Sequence, residues 1–364
     1  MKLNRYFKIL ICCLMVANIE AYSQLNLPRG SQQATVSQRI GITDVYVKYS
    51  RPSVNKREVW GKLVPFGMNN LGFGTATESP WRAGANENTI VKFTNDVIVE
   101  GKALKAGKYG LHMIIHDNDK ATVIFSKNNT AWGSYFYKPS EDALRVDVAM
   151  KPTSHVEQLA FDFTDVKANS AILSLKWEKK QIPVKIEVDV TNEVLANIRK
   201  QLEGQAGFNR QSWEQAANYS LNNGGDLQEA LGWIDNAISG QFYSQKNFRN
   251  VSIKAQIMNK MGKSDAYGKL MDEAASLAST PQLNQLGYAM ISAKDYTRAI
   301  KYLKMNVDNN PESANAYDSL GEAYKVAGDK KNAIKYLKKS LSMNPPANVK
   351  ANSEKLLKEL GVSI

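Results

Sequence analysis

Hydrophobic positions Val45, Val47 and Tyr49 alternate with Asp44, Tyr46 and Lys48, the period of two expected of a half-buried strand. Similar short runs follow at 89–93, 97–99, 109–115, 121–126, 144–148, 159–163, 171–177 and 184–190, separated by Gly, Asn, Asp, Pro and Lys turns. Runs of this length, with no helix-length periodic segment among them, predict an antiparallel β-sandwich or barrel. In NDVIVEGKALKAGKYGLHM the turn signals Glu100-Gly101-Lys102 and Lys105-Ala106-Gly107 predict a meander. The period changes after Val190, and from Asn192 onward Ala, Leu, Lys and Gln recur at helical spacing. The expected class is therefore multidomain β + α, with β-rich residues 24–190 followed by all-α residues 191–364.

A 34-residue repeat appears near the end, where AIKYLKMNVDNNP at 299–311 returns as AIKYLKKSLSMNP at 333–345. The same offset superimposes Leu286 on Leu320 and Gly287 on Gly321. That period, with Tyr317, Leu320, Gly321, Tyr324, Ala333 and Pro345 at consensus spacing, resembles the tetratricopeptide repeat. DLQEALGWIDNAI at 226–238 and KSDAYGKLMDEAA at 263–275 read as second helices of two degenerate units. Four helix pairs would fill 193–347, and VKANSEKLLKELGV would cap the solenoid, whose last repeat otherwise exposes its apolar face.

Lys2, Arg5 and Lys8, the apolar run ILICCLMVA and the small residues Ala21 and Ser23 form a secretory signal-peptide pattern, with cleavage expected near Ser23-Gln24. The run is too short to span a bilayer as a helix, and no other run approaches that length. A periplasmic or secreted protein with no integral membrane span after cleavage is the expectation. Cys12 and Cys13 would leave with residues 1–23, so the remaining chain offers no thiol for a disulfide, a nucleophile or a metal. Residues 1–23 carry two of the twelve formal positive charges, and the remaining +10 is spread evenly, with 22 Lys and Arg against 17 Asp and Glu in each of residues 24–190 and 191–364. Nucleic-acid binders concentrate basic charge on one face, so no nucleic-acid partner is expected.

Only three histidines occur, His112, His116 and His155. On a strand, His112 and His116 share a face but stand roughly 13 Å apart at about 3.3 Å per residue, too far to share one ion. No metal site and no cofactor are expected, and no phosphate loop, nucleophile elbow or His-Glu-x-x-His motif is present. Three polar clusters stand where strand ends and loops are predicted: YSRPSVNKREVWG with Arg51 and Arg57, WRAGANENTIVKF with Trp81, Arg82, Asn86 and Glu87, and SKNNTAWGSYFY with Trp132. Guanidinium forks suit carboxylates and phosphates, and sites on β scaffolds gather in loops. Arg51, Arg57, Trp81, Arg82, Asn86, Glu87, His112 and Trp132 are the candidate ligand-binding set. The competing structural reading is that these Arg and Trp side chains fasten loops to the sandwich.

VKYSRPSVNKREVWGKLVPFG, WRAGANENTIVKF, DVIVEGKALKAGKYGLHM and TVIFSKNNTAWGSYFY, in this order over residues 25–190, resemble the bacterial family named domain of unknown function 2911. The resemblance implies a β-rich domain behind a signal peptide, with tetratricopeptide repeats after it in some members, and it implies no activity. The stretch MNNLGFGTATES at 68–79 departs from the family pattern and reads as an insertion, either a lid or a tolerated surface loop.

The expected function is an exported adaptor. Its β domain would bind a polar or anionic small ligand or glycan, and its repeats a protein or peptide in a concave groove. Tyr288, Tyr296, Tyr302, Tyr317, Tyr324 and Tyr336 are expected in the repeat core or lining the groove, while Lys294, Lys301, Lys325 and Lys335 would favour acidic peptides. One alternative is an exported hydrolase, with Glu87 as acid or base, His112 as proton carrier and Arg82 holding the substrate's anion in one pocket. In another, the β domain is purely structural.

Overall fold

The computed structural model describes residues 27–363, and the expected signal peptide at 1–23, with its cleavage point, lies outside them. The chain forms two compact units, one ending at Val190 and the other beginning at Thr191.

The first unit is an antiparallel sandwich. One sheet has six strands in the order β1 (Gln32–Ile40), β2 (Thr43–Arg51), β3 (Ile90–Phe93), β6 (Gly107–Ile115), β7 (Lys120–Ser126) and β8 (Asp142–Ala149). The other has four, in the order β5 (Lys102–Leu104), β4 (Val97–Val99), β10 (Ser170–Glu187) and β9 (Lys151–Thr164). Alternation decides which residues fill the space between them. Val45, Val47 and Tyr49 of β2 and Leu111 and Met113 of β6 meet Leu173, Leu175 and Trp177 of β10 in one core. Each fully buried aliphatic side chain there contributes roughly 1.5–3 kcal/mol relative to exposure.

The strands differ from the sequence reading in two respects. Strand β1 is an edge strand of mostly polar residues whose Ala34 and Val36 pack against the core while their neighbours face solvent, so its hydrophobic signal is weak. Strand β10 runs unbroken through Glu178-Lys179-Lys180-Gln181, because β9 begins at Lys151 and pairs with that polar stretch through register shifts around Glu178. Glu178 takes φ 52° there, and the strand bends instead of ending.

Strand β6 is buried on both faces from Tyr109 to Ile115. On its outer face Ile114 joins Ile124 and Tyr137 in a second small cluster, packed by Met68 and Ala76. The stretch 68–79 supplies that cover. Asn69 and Ser79 exchange backbone hydrogen bonds of 3.0 and 2.8 Å, and the N–H groups of Thr75 and Ala76 both donate to the Tyr135 carbonyl at 3.1 Å. Phe73 packs edge-on against Tyr135 at 5.5 Å.

The second unit opens with α1 (Val190–Leu202). Four helix pairs follow: α2 (Arg210–Asn223) with α3 (Leu227–Ile238), α4 (Phe248–Lys260) with α5 (Ser264–Ser276), α6 (Thr280–Ser292) with α7 (Tyr296–Asn309), and α8 (Ala314–Val326) with α9 (Lys330–Leu341). Helix α10 (Ala347–Glu359) lays Leu356 and Leu357 over Leu337 of the last pair, the expected cap. The repeated glycines have one physical cause. A Cβ on Gly287 would lie 2.4 Å from the Leu303 side chain, and one on Gly321 would lie 2.7 Å from that of Leu337, so in each pair the second helix packs directly on the glycine. No helix among the described residues is long and apolar enough to cross a membrane.

Gly74, at φ +85°, tests whether 68–79 is a packed cover. A Cβ there would lie 2.1 Å from the Tyr135 carbonyl oxygen, backbone that cannot rotate away. Gly74→Ala is expected to destabilise the β domain by about 1–3 kcal/mol, read as a lower urea midpoint; an unchanged midpoint would show the segment to be loosely attached.

Candidate functional site

The site is built around Trp81. Its backbone N–H donates to Met113 O at 2.8 Å and its carbonyl accepts from Met113 N at 2.7 Å, a single antiparallel bridge to β6 just beyond the stretch where β3 pairs with that strand. The bridge holds the indole against two others: stacked on Trp177 at 6.1 Å and 15°, and edge-on to Trp60 at 6.0 Å. Its Nε1 donates to Gly84 O at 3.3 Å. Gly84 is confined in turn, since a Cβ would meet Thr89 Oγ1 at 2.8 Å and Ser50 O at 3.1 Å.

From the bridge the chain turns through Ala83 and Asn86, both left-handed at φ 49° and 58°, which costs of order 1–3 kcal/mol per non-glycine residue. The turn brings the Asn86 carbonyl back to Arg82 Nη1 at 2.5 Å, while Asn86 Nδ2 donates to Ser31 O at 2.9 Å. The Arg82 guanidinium also lies 4.9 Å above the Tyr135 ring. It passes so close to Gly133, at φ +56°, that a Cβ there would sit 2.4 Å from Cζ.

Beside Trp81 and Arg82 opens a cavity of about 350 Å³, whose walls include Arg57, Pro52, Asn69, Leu71, Ser134 and Trp177. Arg57 stands at its rim, with Nη2 donating to Ser53 O at 2.6 Å and Nε to Val54 O at 3.1 Å. Among the described residues neither Arg57 nor Arg82 comes within 4.0 Å of a carboxylate oxygen, although Arg57 is near enough to Glu157 for its charge to help lower that carboxyl's pKa. Two guanidinium groups with part of their donor capacity unspent, and an indole whose N–H is already bonded to Gly84 O, therefore border one concave space.

Of the sequence-derived set, Arg57, Trp81 and Arg82 line the cavity, and the others are placed elsewhere. Arg51 Nε donates to Leu159 O at 3.0 Å and ties β2 to β9 across the sandwich. Glu87 pairs with Arg29 and accepts from Ser50 Oγ at 3.4 Å. Burial, the largest influence on Glu87, raises its pKa, but a hydrogen bond from its own backbone N–H, together with Arg29 and Ser50, outweighs burial and holds it below the usual carboxylate range. Trp132 is half exposed, with Arg29 over its ring at 5.6 Å. Asn86, Glu87 and Trp132 thus lie under the segment at 29–31, next to the cavity turn but outside the cavity lining.

His112 is 2% exposed, with Nδ1 2.9 Å from Ser134 Oγ and its ring edge-on to Tyr137 at 5.6 Å. Burial first, and the Arg82 charge second, push its pKa down to about 4. An imidazole that stays neutral to that pH is a poor proton carrier near neutrality, and the bonding partners of Glu87 and His112 have no residue in common. Arg82 lines the cavity, whereas neither Glu87, held by Arg29 and Ser50, nor the buried His112 is among its lining residues. His116 bonds Thr122 at 3.0 Å, and Thr122 donates to Asp147 at 2.6 Å.

Sequence reasoning overlooked Arg29, Ser31, Asn69, Ser134 and Trp177. Ser134 stood inside a stretch already singled out, two positions after Trp132. Nothing local marks Arg29, whose partner Glu87 is 58 residues away.

Of the four repeat lysines expected to favour acidic peptides, Lys301 and Lys325 are held in ion pairs. Lys301 is paired with Asp272 at 2.8 Å, Lys325 with Glu359, and Lys335 lies over the Tyr336 ring at 5.2 Å. Tyr302 is fully buried with its hydroxyl on Asp272 at 3.0 Å, and the Tyr288 hydroxyl donates to Glu322 at 2.8 Å.

The sign of the His112 contribution is fixed by its lowered value. Unfolded, the imidazole titrates near 6.5; folded, near 4. The unfolded chain therefore binds the extra proton, and stability that is complete above pH 6.5 is lost as the pH falls towards 4, by about 3 kcal/mol in total. Ring-proton NMR of the folded protein should show one histidine still neutral at pH 5; three ordinary titrations would refute the buried assignment.

A family model described as protein of unknown function (DUF2911) matches residues 31–186, and a tetratricopeptide repeat model matches 314–346. No curated protein matches the chain. Solved structures similar to part of it include YrrB, "a TPR protein with an unusual peptide-binding site", at 17% identity, covering 45% of this chain and 84% of that one with a TM-score of 0.29. Another is MamA from Desulfovibrio magneticus RS-1, at 16% identity, covering 43% and 86% with a TM-score of 0.29. Residues 31–186 are a domain of the DUF2911 family, and the helical unit that follows it carries a tetratricopeptide repeat at 314–346.

Proposed function

We propose that the chain is an exported two-domain adaptor whose β domain holds a small anionic ligand, such as a carboxylated or phosphorylated sugar, and whose repeats hold a protein partner. The observation that carries the first half is the pair of guanidinium groups, Arg57 and Arg82, bordering one cavity with no carboxylate paired to either among the described residues. Guanidinium forks match planar or tetrahedral oxyanions, and a partly enclosed site strengthens that attraction over its value in water. Trp81 and the prolines at 52, 65 and 80 give the cavity an apolar wall suited to the ring of a sugar or aromatic acid. The second half rests on the tetratricopeptide architecture, because stacked helix pairs create extended surface for a partner without needing a catalytic group. Export rests on the amino-terminal basic, apolar and small-residue pattern.

A thermal-shift series tests the cavity. Glucuronate, glucose 6-phosphate and inorganic sulfate are the probes, with glucose as the neutral control. At about 100 times its Kd, a ligand selective for the folded state stabilises it by about 2.7 kcal/mol. At least one anion is expected to raise Tm while glucose does not, and Arg82→Ala is expected to abolish the shift. Equal response to glucose, or a shift retained by Arg82→Ala, would refute this assignment. For export, amino-terminal sequencing of the protein from the envelope fraction of its native host is expected to begin at Gln24; a chain retaining Met1 in the cytosol would exclude it.

A further inference from the structure

A concavity of about 640 Å³ in the helical unit opens between α4 and α6 and is floored by Tyr267 and Met271 of α5. Its upper edge carries three primary amides, Gln256 and Asn259 of α4 and Gln285 of α6, all solvent-exposed. None of the three makes a side-chain hydrogen bond within the described residues. Beneath them lie Phe248, Leu286 and Met290. The lining includes one charged side chain, Lys260, whose Nζ donates to Leu221 O at 2.6 Å in the last turn of α2. That ammonium is committed to a helix C-terminus, where a cation is favoured.

In a chain of net charge +12, the lining of this groove carries one charge, that of Lys260. A primary amide offers two donors and an acceptor, the complement of a peptide unit's own C=O and N–H. A row of unpaired amides therefore suits an extended main chain whose hydrogen-bonding groups are still free. The floor adds a second requirement. Two methionines with a phenylalanine, a tyrosine and a leucine form a deformable apolar surface, one that gains from burying a long aliphatic or thioether side chain and gives nothing to a charged one. A carboxylate or ammonium placed there would lose its hydration with no counter-ion to replace it.

We infer that this groove binds an extended, uncharged peptide segment of a partner protein, anchored by one Leu, Met or Phe side chain on the Met271–Met290 floor, with its main chain read by Gln256, Asn259 and Gln285. The inference rests on the reading of the repeats as a protein-binding unit and narrows it, replacing the acidic peptide expected from sequence. An acidic segment would meet a single cation along this lining, the Lys260 ammonium, which already donates to Leu221 O.

The test is selection of a phage-displayed library of random nonapeptides on the full chain, followed by anisotropy measurements on the enriched peptides. Enriched sequences are expected to be uncharged, with a Leu, Met or Phe near the centre. Changing that residue to Asp is expected to weaken binding at least tenfold. Two variants of exposed positions, which leave the helix cores intact, locate the site: Ala289→Lys should abolish binding, and Gln256→Ala with Gln285→Ala should weaken it several-fold. Enrichment of acidic or basic sequences, or peptides that bind both variants as tightly as the wild type, would overturn the groove assignment while leaving the repeats a protein-binding unit. Failure to enrich any peptide would remove both.

Discussion

The β domain depends on the bridge between Trp81 and Met113. Two backbone hydrogen bonds at 2.8 and 2.7 Å fix a residue that comes from a long irregular connection, and a bridged residue has little freedom in where its side chain goes. The indole must enter the space between the sheets, where Trp177 and Trp60 receive it. Arg82 follows directly, and the left-handed Ala83 and Asn86 fold the chain back so that a carbonyl meets its guanidinium. The cavity is therefore bordered by a rigid aromatic group and a positioned cation, although neither lies in a regular strand. The strain of those two residues persists because the bridge and the Gly84 contacts over-determine the turn.

The same connection explains why one face of β6 carries a histidine. A strand whose outer face met water would place a solvated imidazole at position 112. The 68–79 segment and Tyr137 instead close that face, and His112 stays neutral with Ser134 as its partner. Burying a neutral imidazole with one hydrogen bond costs far less than burying a charged one, and the Arg82 charge also opposes protonation. The group that looked most like a proton carrier is a packed element of the domain, and its hydroxyl partner Ser134 borders the cavity.

In the helical unit, charge is spent between helices. Lys246 pairs with Glu273 at 2.5 Å, Lys254 with Asp235 at 2.7 Å and Lys301 with Asp272 at 2.8 Å. Such exposed pairs add little stability, typically about 0–1 kcal/mol each. Their larger effect is on where charge is displayed, because a lysine bound to a neighbouring helix is not free to face a partner. The groove between α4 and α6 keeps unpaired amides over an apolar floor, so the surface offered to a ligand differs in character from the composition of the chain.

Much of the architecture was legible in the residues. The period-two runs of β2, β6 and β7, the meander around Gly101 and the 34-residue recurrence of Gly287 and Gly321 are local patterns, imposed by side-chain alternation on a strand and by close helix packing on a glycine. Where the pattern was weak or interrupted, the reading fell short. Strand β1 is a polar edge, and the middle of β10 is a charged stretch held in the sheet by β9. The site was legible only in part. Trp81, Arg82 and Arg57 stood out by residue type, yet nothing in the sequence indicated that Glu87 answers to Arg29, that Arg51 fastens one sheet to the other, or that His112 is enclosed. Sequence by itself determined the strands, the helical repeat and the residue types available for recognition, because these follow from periodicity over a few neighbours. Only the tertiary structure decided which of those residues share a cavity and which are consumed by pairing, because partners far apart in sequence meet only once the sheets and helices have packed.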